Sequence, residues 1–188
     1  MGNKQAQYGR DHTIRSSCFG EVPGLPYCRR MTVSAVGKEC VEVDRAYLAG
    51  LIDGDGAIMA TIEPHHEKKF HFRVRIIVKV TQKYEEGVSF LPILTGYGSV
   101  RANRTTYDWI VRDQKQILQI LFMIRPYSRM KCRQIELALK ILQTPIGSRE
   151  ALLAVARSAD ALARLNVRSR DRRKNHVSMI QTHFSSND

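Results

Sequence analysis

The stretch Tyr47-Leu48-Ala49-Gly50-Leu51-Ile52-Asp53-Gly54-Asp55-Gly56 decides the fold of this chain. Ala46, Gly50 and Gly54 recur every fourth position, so they share one face of a predicted helix. Each glycine lowers the stability of a helix by about 1 kcal/mol relative to alanine, so two glycines on one face indicate a structural role. Small residues at this spacing let two helix backbones approach more closely than the usual distance of about 8–10 Å. The apolar positions on the other side, which we expect in the core, are Leu48, Leu51 and Ile52.

The same predicted helix ends in two carboxylates, Asp53 and Asp55. Acidic groups at the C-terminus of a helix oppose its macrodipole and are unfavourable there. A nearby cation would remove this penalty. The end of the helix is therefore a candidate cation site.

These ten residues resemble the signature of the LAGLIDADG homing endonucleases, with Gly54 where the signature has alanine. In that family two signature helices pack side by side, and the last acidic residue of each binds a divalent metal. The resemblance implies that Asp55 and the backbone carbonyl of Gly54 bind Mg²⁺ or Mn²⁺. Asp53 is expected to form structural hydrogen bonds.

The composition favours a nucleic-acid partner. The 188 residues include 30 Lys and Arg against 18 Asp and Glu, which gives a formal charge of +12 and a pI near 9.9. A polyanion is the expected partner, and the absence of a long apolar run argues against a membrane. No secretory signal is visible, so an intracellular compartment is expected. The resemblance narrows this to an organelle (chloroplast or mitochondrion) or a prokaryotic cytoplasm.

The four cysteines form no CxxC pair, and reduced thiols are expected. An alternative is a zinc site built from Cys18, Cys28, Cys40 and His12, although their spacing fits no common template.

The chain is predicted to contain one central domain and two extensions. Residues 1–42 mix Gly, Pro, Ser and Arg without period and predict an irregular extension, and residues 167–188 form a basic tail. Between them, residues 43–166 predict a helix capped by Asp44 and ending near Asp53, strands over 58–63 and 70–81, a helix over 85–95, and a hairpin over 98–112. Further helices are predicted with the N-caps Asp113, Ser128 and Ser148. This order is that of the LAGLIDADG fold, an α+β arrangement (αββαββα with additional C-terminal helices) whose antiparallel β-saddle binds DNA.

The predicted strands have one apolar and one largely cationic face. From Phe70 to Thr81 apolar and polar residues alternate, and a strand of this length reaches about 40 Å, slightly more than one turn of B-DNA. A twisted two-stranded ribbon fits the major groove. The residues predicted to face DNA are Met59, Thr61, Glu63, His71, Arg73, Arg75, Ile77, Lys79, Ser99, Arg101, Asn103, Asp108 and Ile110.

The resemblance also suggests the catalytic residues. It places Gln82 near the attacking water, and it gives Lys131 the role of polarising water or offsetting phosphate charge. Arg101 matches a further basic contributor, and together with Asp55 these residues form the predicted active site. The sequence departs from the family at Glu85 and Glu86, because relatives tend to carry polar or basic residues there.

One signature occurs in the 188 residues, and one copy supplies half of the paired arrangement. We therefore predict a homodimer that cuts a long, nearly palindromic double-stranded DNA target, with each subunit cutting one strand. The residues predicted for the dimer interface are Ala46, Ala49, Gly50, Asp53 and Gly54. The alternatives are an RNA maturase bound to its host intron and a non-cleaving DNA-binding protein.

Overall fold

The computed structural model describes residues 42–166 and 175–186. The cysteines and His12 of the alternative zinc site lie outside these ranges, as does most of the predicted N-terminal extension.

Seven helices and four strands make up the described part of the chain. They are α1 Glu42–Asp55, β1 Gly56–Pro64, β2 Phe72–Gln82, α2 Glu86–Ser89, α3 Leu91–Thr95, β3 Ser99–Asn103, β4 Thr106–Val111, α4 Gln114–Ile124, α5 Cys132–Gln143, α6 Arg149–Asn166 and α7 His176–Ser185. The predicted α+β order is confirmed, with α2 and α3 together occupying the place of one helix. None of the described helices is long and apolar enough to cross a bilayer.

The four strands form one antiparallel sheet in the order β1-β2-β4-β3. Alternate residues of the strands point to one face and are buried there. These core residues are Ile58, Ile62, Phe72, Ile76, Val78, Val80, Trp109 and Val111. Helices α1 and α4 contact β2, while α5 and α6 contact β1. The fold thus has two layers, and the side chains of the other sheet face are available for a partner.

The side chain of Gln114 forms hydrogen bonds with the part of β2 that extends beyond the end of its neighbouring strand β4. Strand β4 pairs only with Val78–Gln82 of β2, which leaves Ile76 beyond its end. The Gln114 Oε1 atom accepts from the Ile76 N–H at 2.8 Å, and Nε2 donates to the Ile76 carbonyl at 3.0 Å. Because a buried backbone group without a partner is costly, this amide substitutes for a missing strand residue.

Several predicted boundaries are wrong for local reasons. Helix α1 begins at Glu42, so Asp44 lies in its first turn, where its charge is favourable, and is not the N-cap. The predicted helix over 85–95 divides at Phe90, and Pro92 lies in the first turn of α3, where its missing N–H is tolerated. Strand β2 begins at Phe72 because His71 has a φ of 59° and belongs to the preceding turn.

Helix α7 lies within residues 167–188, for which the sequence predicts only a basic tail. Asn175 caps this helix by accepting from the Ser178 N–H at 3.0 Å. Asp160 of α6 accepts from the N–H groups of His176 and Val177, at 2.8 and 3.2 Å. The ring of Phe184 then packs edge-on against Phe72 of β2. Contacts with distant residues therefore stabilise this helix.

Replacing Gln114 with Ala should lower the free energy of unfolding by about 1–3 kcal/mol, because both polar groups of Ile76 lose their partner. Urea denaturation followed by circular dichroism measures this change. Lys115→Ala is the matched control, since Lys115 is the exposed neighbour on the same helix, and it should change stability by less than about 0.5 kcal/mol. Equal effects of the two substitutions would contradict the role of Gln114.

Candidate active site

The end of α1 and the end of β2 meet at Asp55 and Gln82. Asp55 is the last residue of α1 and is exposed, and Gln82 is the last residue of β2. The Gln82 Nε2 atom donates to Asp55 Oδ2 at 2.7 Å. A Cβ atom at Gly87 would lie 3.0 Å from both Cβ and Cγ of Gln82, so this glycine leaves room for the Gln82 side chain. Two residues predicted for the site are therefore in direct contact.

Lys131 supplies a cation at the C-terminus of α1. It immediately precedes α5, and its Nζ atom donates to the backbone carbonyl of Asp53 at 2.5 Å. Burial lowers the pKa of Lys131, while the carboxylates of Asp53 and Asp55 act in the opposite direction. The macrodipole and the two acids at this helix end thus have a positive partner, as the sequence required.

Asp53 joins α1 to the start of α5. Its Oδ1 atom accepts from Ser128 Oγ at 2.5 Å and from the Lys131 N–H at 3.1 Å. Its Oδ2 atom accepts from the N–H groups of Arg129 and Met130 at 2.6 and 3.0 Å. Burial alone would raise the pKa of Asp53, but these four hydrogen bonds outweigh it and hold the pKa below its usual value. The expected structural role of Asp53 is confirmed.

This network corrects the prediction for Ser128. The serine is not the N-cap of α5, since the helix begins at Cys132 and the Ser128 hydroxyl donates to Asp53. The carboxylate of Asp53, from a different helix, accepts from the N–H groups of the three residues that precede α5. In contrast, Asp113 and Ser148 cap α4 and α6 as predicted, accepting from the N–H groups of Gln116 and Ala151.

The small-residue face of α1 is open to solvent. Ala46, Gly50 and Gly54 are exposed, and a Cβ atom added at either glycine would meet nothing within 4 Å. Ala49 and Asp53, also predicted for the dimer interface, are buried within their own chain. The prediction is wrong for these two because they lie about 100° around the helix from Gly50 and Gly54.

The oxygen atoms at this helix end suit a hard divalent cation. Asp55 offers an exposed carboxylate, and the carbonyl of Gly54 lies in the last turn, where carbonyls have no partner within the helix. Mg²⁺ prefers such oxygen ligands and retains waters or binds phosphate oxygens at its other positions. No group of three His, Cys, Asp or Glu side chains within residues 42–166 and 175–186 could hold a metal.

The outer face of the sheet carries most of the residues predicted to face DNA. In the strand register Thr61 lies beside Arg75, Met59 beside Ile77, and Glu63 beside Arg73. The residues that share this face and are partly or fully exposed are Met59, Thr61, Glu63, Arg73, Arg75, Ile77, Lys79, Ser99, Arg101 and Asn103. A guanidinium N–H of Arg73 donates to Nε2 of His65 in the loop between β1 and β2.

Three of the residues predicted to face DNA are either buried in the structure or lie outside the strands. Asp108 and Ile110 lie on the outer face but are only 3% and 8% exposed, because neighbouring side chains cover them. His71 lies in the turn before β2, where its ring is 5.8 Å from that of His183. Direct contact between DNA and Asp108 or Ile110 would require these neighbours to move.

Arg101 stands apart from the other predicted catalytic residues. It is exposed on β3, opposite Asp108 in the register. In the described ranges it forms no hydrogen bond or ion pair with Asp55, Gln82 or Lys131. Its catalytic role stays a prediction. Glu85 and Glu86 are exposed at the start of α2.

Comparisons with known proteins match this geometry. The family model described as LAGLIDADG endonuclease matches residues 48–137. DNA endonuclease I-CreI of Chlamydomonas reinhardtii is 34% identical over 126 residues, which cover 64% of this chain and 77% of that protein. The homing endonuclease I-CvuI, in complex with its target and 2 mM Ca, has a TM-score of 0.69 at 23% identity, covering 77% of this chain and 94% of that one. The archaeal intron-encoded homing endonuclease I-Vdi141I, complexed with DNA, has a TM-score of 0.64 at 16% identity, covering 75% and 96%. These structures show the same fold.

Replacing Asp53 with Asn should lower the free energy of unfolding at neutral pH by about 1.5–3 kcal/mol, because hydrogen bonds to a charged acceptor are lost. The pKa of Asp53 is lower in the folded chain. Its stabilisation is therefore present above the unfolded-state pKa of about 3.9 and is lost as pH falls through the lower folded-state value. The difference between wild type and variant should narrow below about pH 4.

Chemical denaturation at a series of pH values measures this difference. Asp113→Asn is the control, because Asp113 accepts one backbone N–H and should have the smaller effect. A difference between wild type and Asp53→Asn that stays constant down to low pH would contradict the role given to the charge.

Proposed function

Because the chain belongs to the LAGLIDADG endonuclease family, we propose that it is a site-specific endonuclease that hydrolyses phosphodiester bonds in both strands of double-stranded DNA. The junction of Asp55, Gln82 and Lys131 carries this proposal. Gln82 is also the last residue of β2, whose outer face bears Arg73, Arg75 and Lys79. A carboxylate, an amide and an ammonium group thus lie at the end of a basic surface.

Asp55 and the carbonyl of Gly54 would hold a divalent cation, for which we propose Mg²⁺. When bound, this ion supplies an activated water and neutralises charge on the phosphate. Gln82 holds one Asp55 oxygen in place through its Nε2 atom. Its amide oxygen would then orient the attacking water. The Lys131 ammonium group, fixed on the Asp53 carbonyl, offsets negative charge that develops on the phosphorane-like transition state.

The outer face of the sheet suits the major groove of B-DNA. The 11 residues of β2 span about 36 Å, close to one helical turn of the duplex. Guanidinium groups such as those of Arg73 and Arg75 can bond the guanine edge bidentately, and the formal charge of +12 favours binding to the phosphate backbone.

A second copy of the chain would complete the site. Gly50 and Gly54 present an exposed helix face with free space above it, and such a face allows close helix packing. A two-fold axis beside this face would bring the two Asp55 carboxylates together, with each subunit cutting one strand. Each subunit would read one half of a nearly palindromic target.

Replacing Asp55 with Asn should abolish cleavage, with a loss of at least about 10³-fold, while binding to DNA changes by less than about tenfold, because the metal ligand is lost but the sheet face is intact. Plasmid digestion with Mg²⁺ or EDTA measures cleavage, and a gel shift in EDTA measures binding.

The control variant Glu67→Gln removes an exposed acid from the β1–β2 loop and should leave cleavage intact. Cleavage by Asp55→Asn, or by wild type in EDTA, would refute the metal-ligand role. A protein that binds DNA but never cuts it would favour the alternative of a non-cleaving DNA-binding protein.

Substitutions at Gly50 should separate folding of the subunit from dimer formation. Ala and Leu both favour the helix over Gly by about 1 kcal/mol, Gly50 is exposed, and a Cβ atom at this position would meet nothing within 4 Å. Gly50→Leu should therefore keep or raise the stability of the subunit but prevent helix approach and leave a monomer that does not cut both strands. Gly50→Ala should show a smaller defect. Analytical ultracentrifugation and cleavage assays measure this. A Gly50→Leu dimer with full activity would exclude this face as the interface.

A further inference from the structure

A buried carboxylate lies within the outer face of the sheet. Asp108 is in the middle of β4 and is 3% exposed, although most residues around it on this face are open to solvent. Its Oδ1 atom accepts from Thr81 Oγ1 at 2.6 Å and from Lys79 Nζ at 3.1 Å. Its Oδ2 atom accepts from Asn103 Nδ2 at 2.8 Å. Strand β4 lies between β2 and β3, so Asp108 bonds side chains from the strands on both of its sides.

The chemistry of this cluster fixes its charges. Burial alone would raise the pKa of Asp108, but the hydrogen bonds from Thr81, Lys79 and Asn103, with the charge of Lys79, bring it below the usual value. Asp108 is therefore ionised at neutral pH. The ammonium group of Lys79 forms an ion pair with it, and the Lys79 side chain is only 27% exposed. The ion pair directs the ammonium group of Lys79 toward Asp108 instead of toward solvent.

We propose that Asp108 is a positioning residue for sequence discrimination: without touching DNA, it fixes Lys79, Thr81 and Asn103 as one rigid unit whose free edges read base pairs. This rests on the proposed DNA binding by the outer face. A phosphate contact carries no sequence information, whereas groups held in place can discriminate between base edges. Asp108 thus converts a flexible cation into part of a preorganised reading surface. This replaces the prediction that Asp108 itself contacts a base.

The Asp108→Asn variant tests the proposal through the salt dependence of binding. Without the carboxylate, Lys79 becomes free to contact phosphate. The slope of log Kd against log salt concentration should then steepen by about 0.9 for each bound subunit. Discrimination between the cleaved target and targets with single substitutions opposite this segment should fall about tenfold. Fluorescence anisotropy in EDTA, over a series of KCl concentrations, measures both quantities on intact DNA.

Two further variants separate positioning from general electrostatics. The double variant Asp108→Asn, Lys79→Met removes both charges of the ion pair. Its salt slope should therefore match that of wild type, without the extra slope of Asp108→Asn, while its discrimination should fall as in Asp108→Asn. Glu67→Gln deletes the same charge from the exposed β1–β2 loop and should not relax discrimination.

Each outcome decides the proposal. If the double variant has a slope about 0.9 shallower than that of wild type, Lys79 contacts phosphate in the wild-type protein and the proposal is overturned. It is equally overturned if folded Asp108→Asn discriminates as well as wild type, or if Glu67→Gln relaxes discrimination as much. Should Asp108→Asn fail to fold in a thermal melt, the double variant, which leaves neither charge of the pair without its partner, still decides through its slope and its discrimination. If the wild-type protein binds no DNA sequence selectively, the proposed function itself fails, which is a distinct result.

Discussion

The carboxylate of Asp53 is the link on which the candidate active site depends. It accepts hydrogen bonds from Ser128 and from the N–H groups of the next three residues, so it fixes the start of α5 against the end of α1. Lys131 is the last of those residues, and its ammonium group returns to the carbonyl of Asp53. Asp55 lies two residues after Asp53, at the end of α1. One buried side chain therefore sets the relative positions of the residues that bear the opposite charges of the site.

Two aspartates of one signature have different environments, and this difference assigns their roles. Asp53 is buried and fully engaged by its own chain, while Asp55 is exposed and bonded through one oxygen to Gln82. Both acids oppose the dipole of α1, and Lys131 offsets part of that unfavourable charge. Of the two carboxylates, the exposed one of Asp55 is therefore the one that we expect to bind a further cation.

The sequence predicted those features that depend on local pattern. The alternation of apolar and polar residues placed Arg73, Arg75 and Lys79 on one face of β2, and the signature identified α1 and its exposed glycines. Features that depend on contacts between residues distant in the chain could not be predicted from the sequence. Ser128 had the spacing of a helix cap, yet its hydroxyl bonds a residue 75 positions away. Helix α7 depends on packing against α6 and Phe72. Alternation also gave the correct face for Asp108 but could not show that its neighbours cover it, because coverage depends on side-chain conformations across three strands.

Strand β2 carries both the arginines of the proposed DNA-reading face and the candidate catalytic residue Gln82 in one rigid element, because β1 and β4 pair with its two edges. Side chains alternate between the faces of a strand, so inserting or deleting one residue here would turn the arginines inward and the valines outward. In the proposed complex with DNA, the backbone of β2 would thus fix the distance between the bond that is cut and each base that is read. Such a scaffold can acquire a new target by exchanging individual side chains, but it cannot change the spacing of the site it recognises by lengthening the strand.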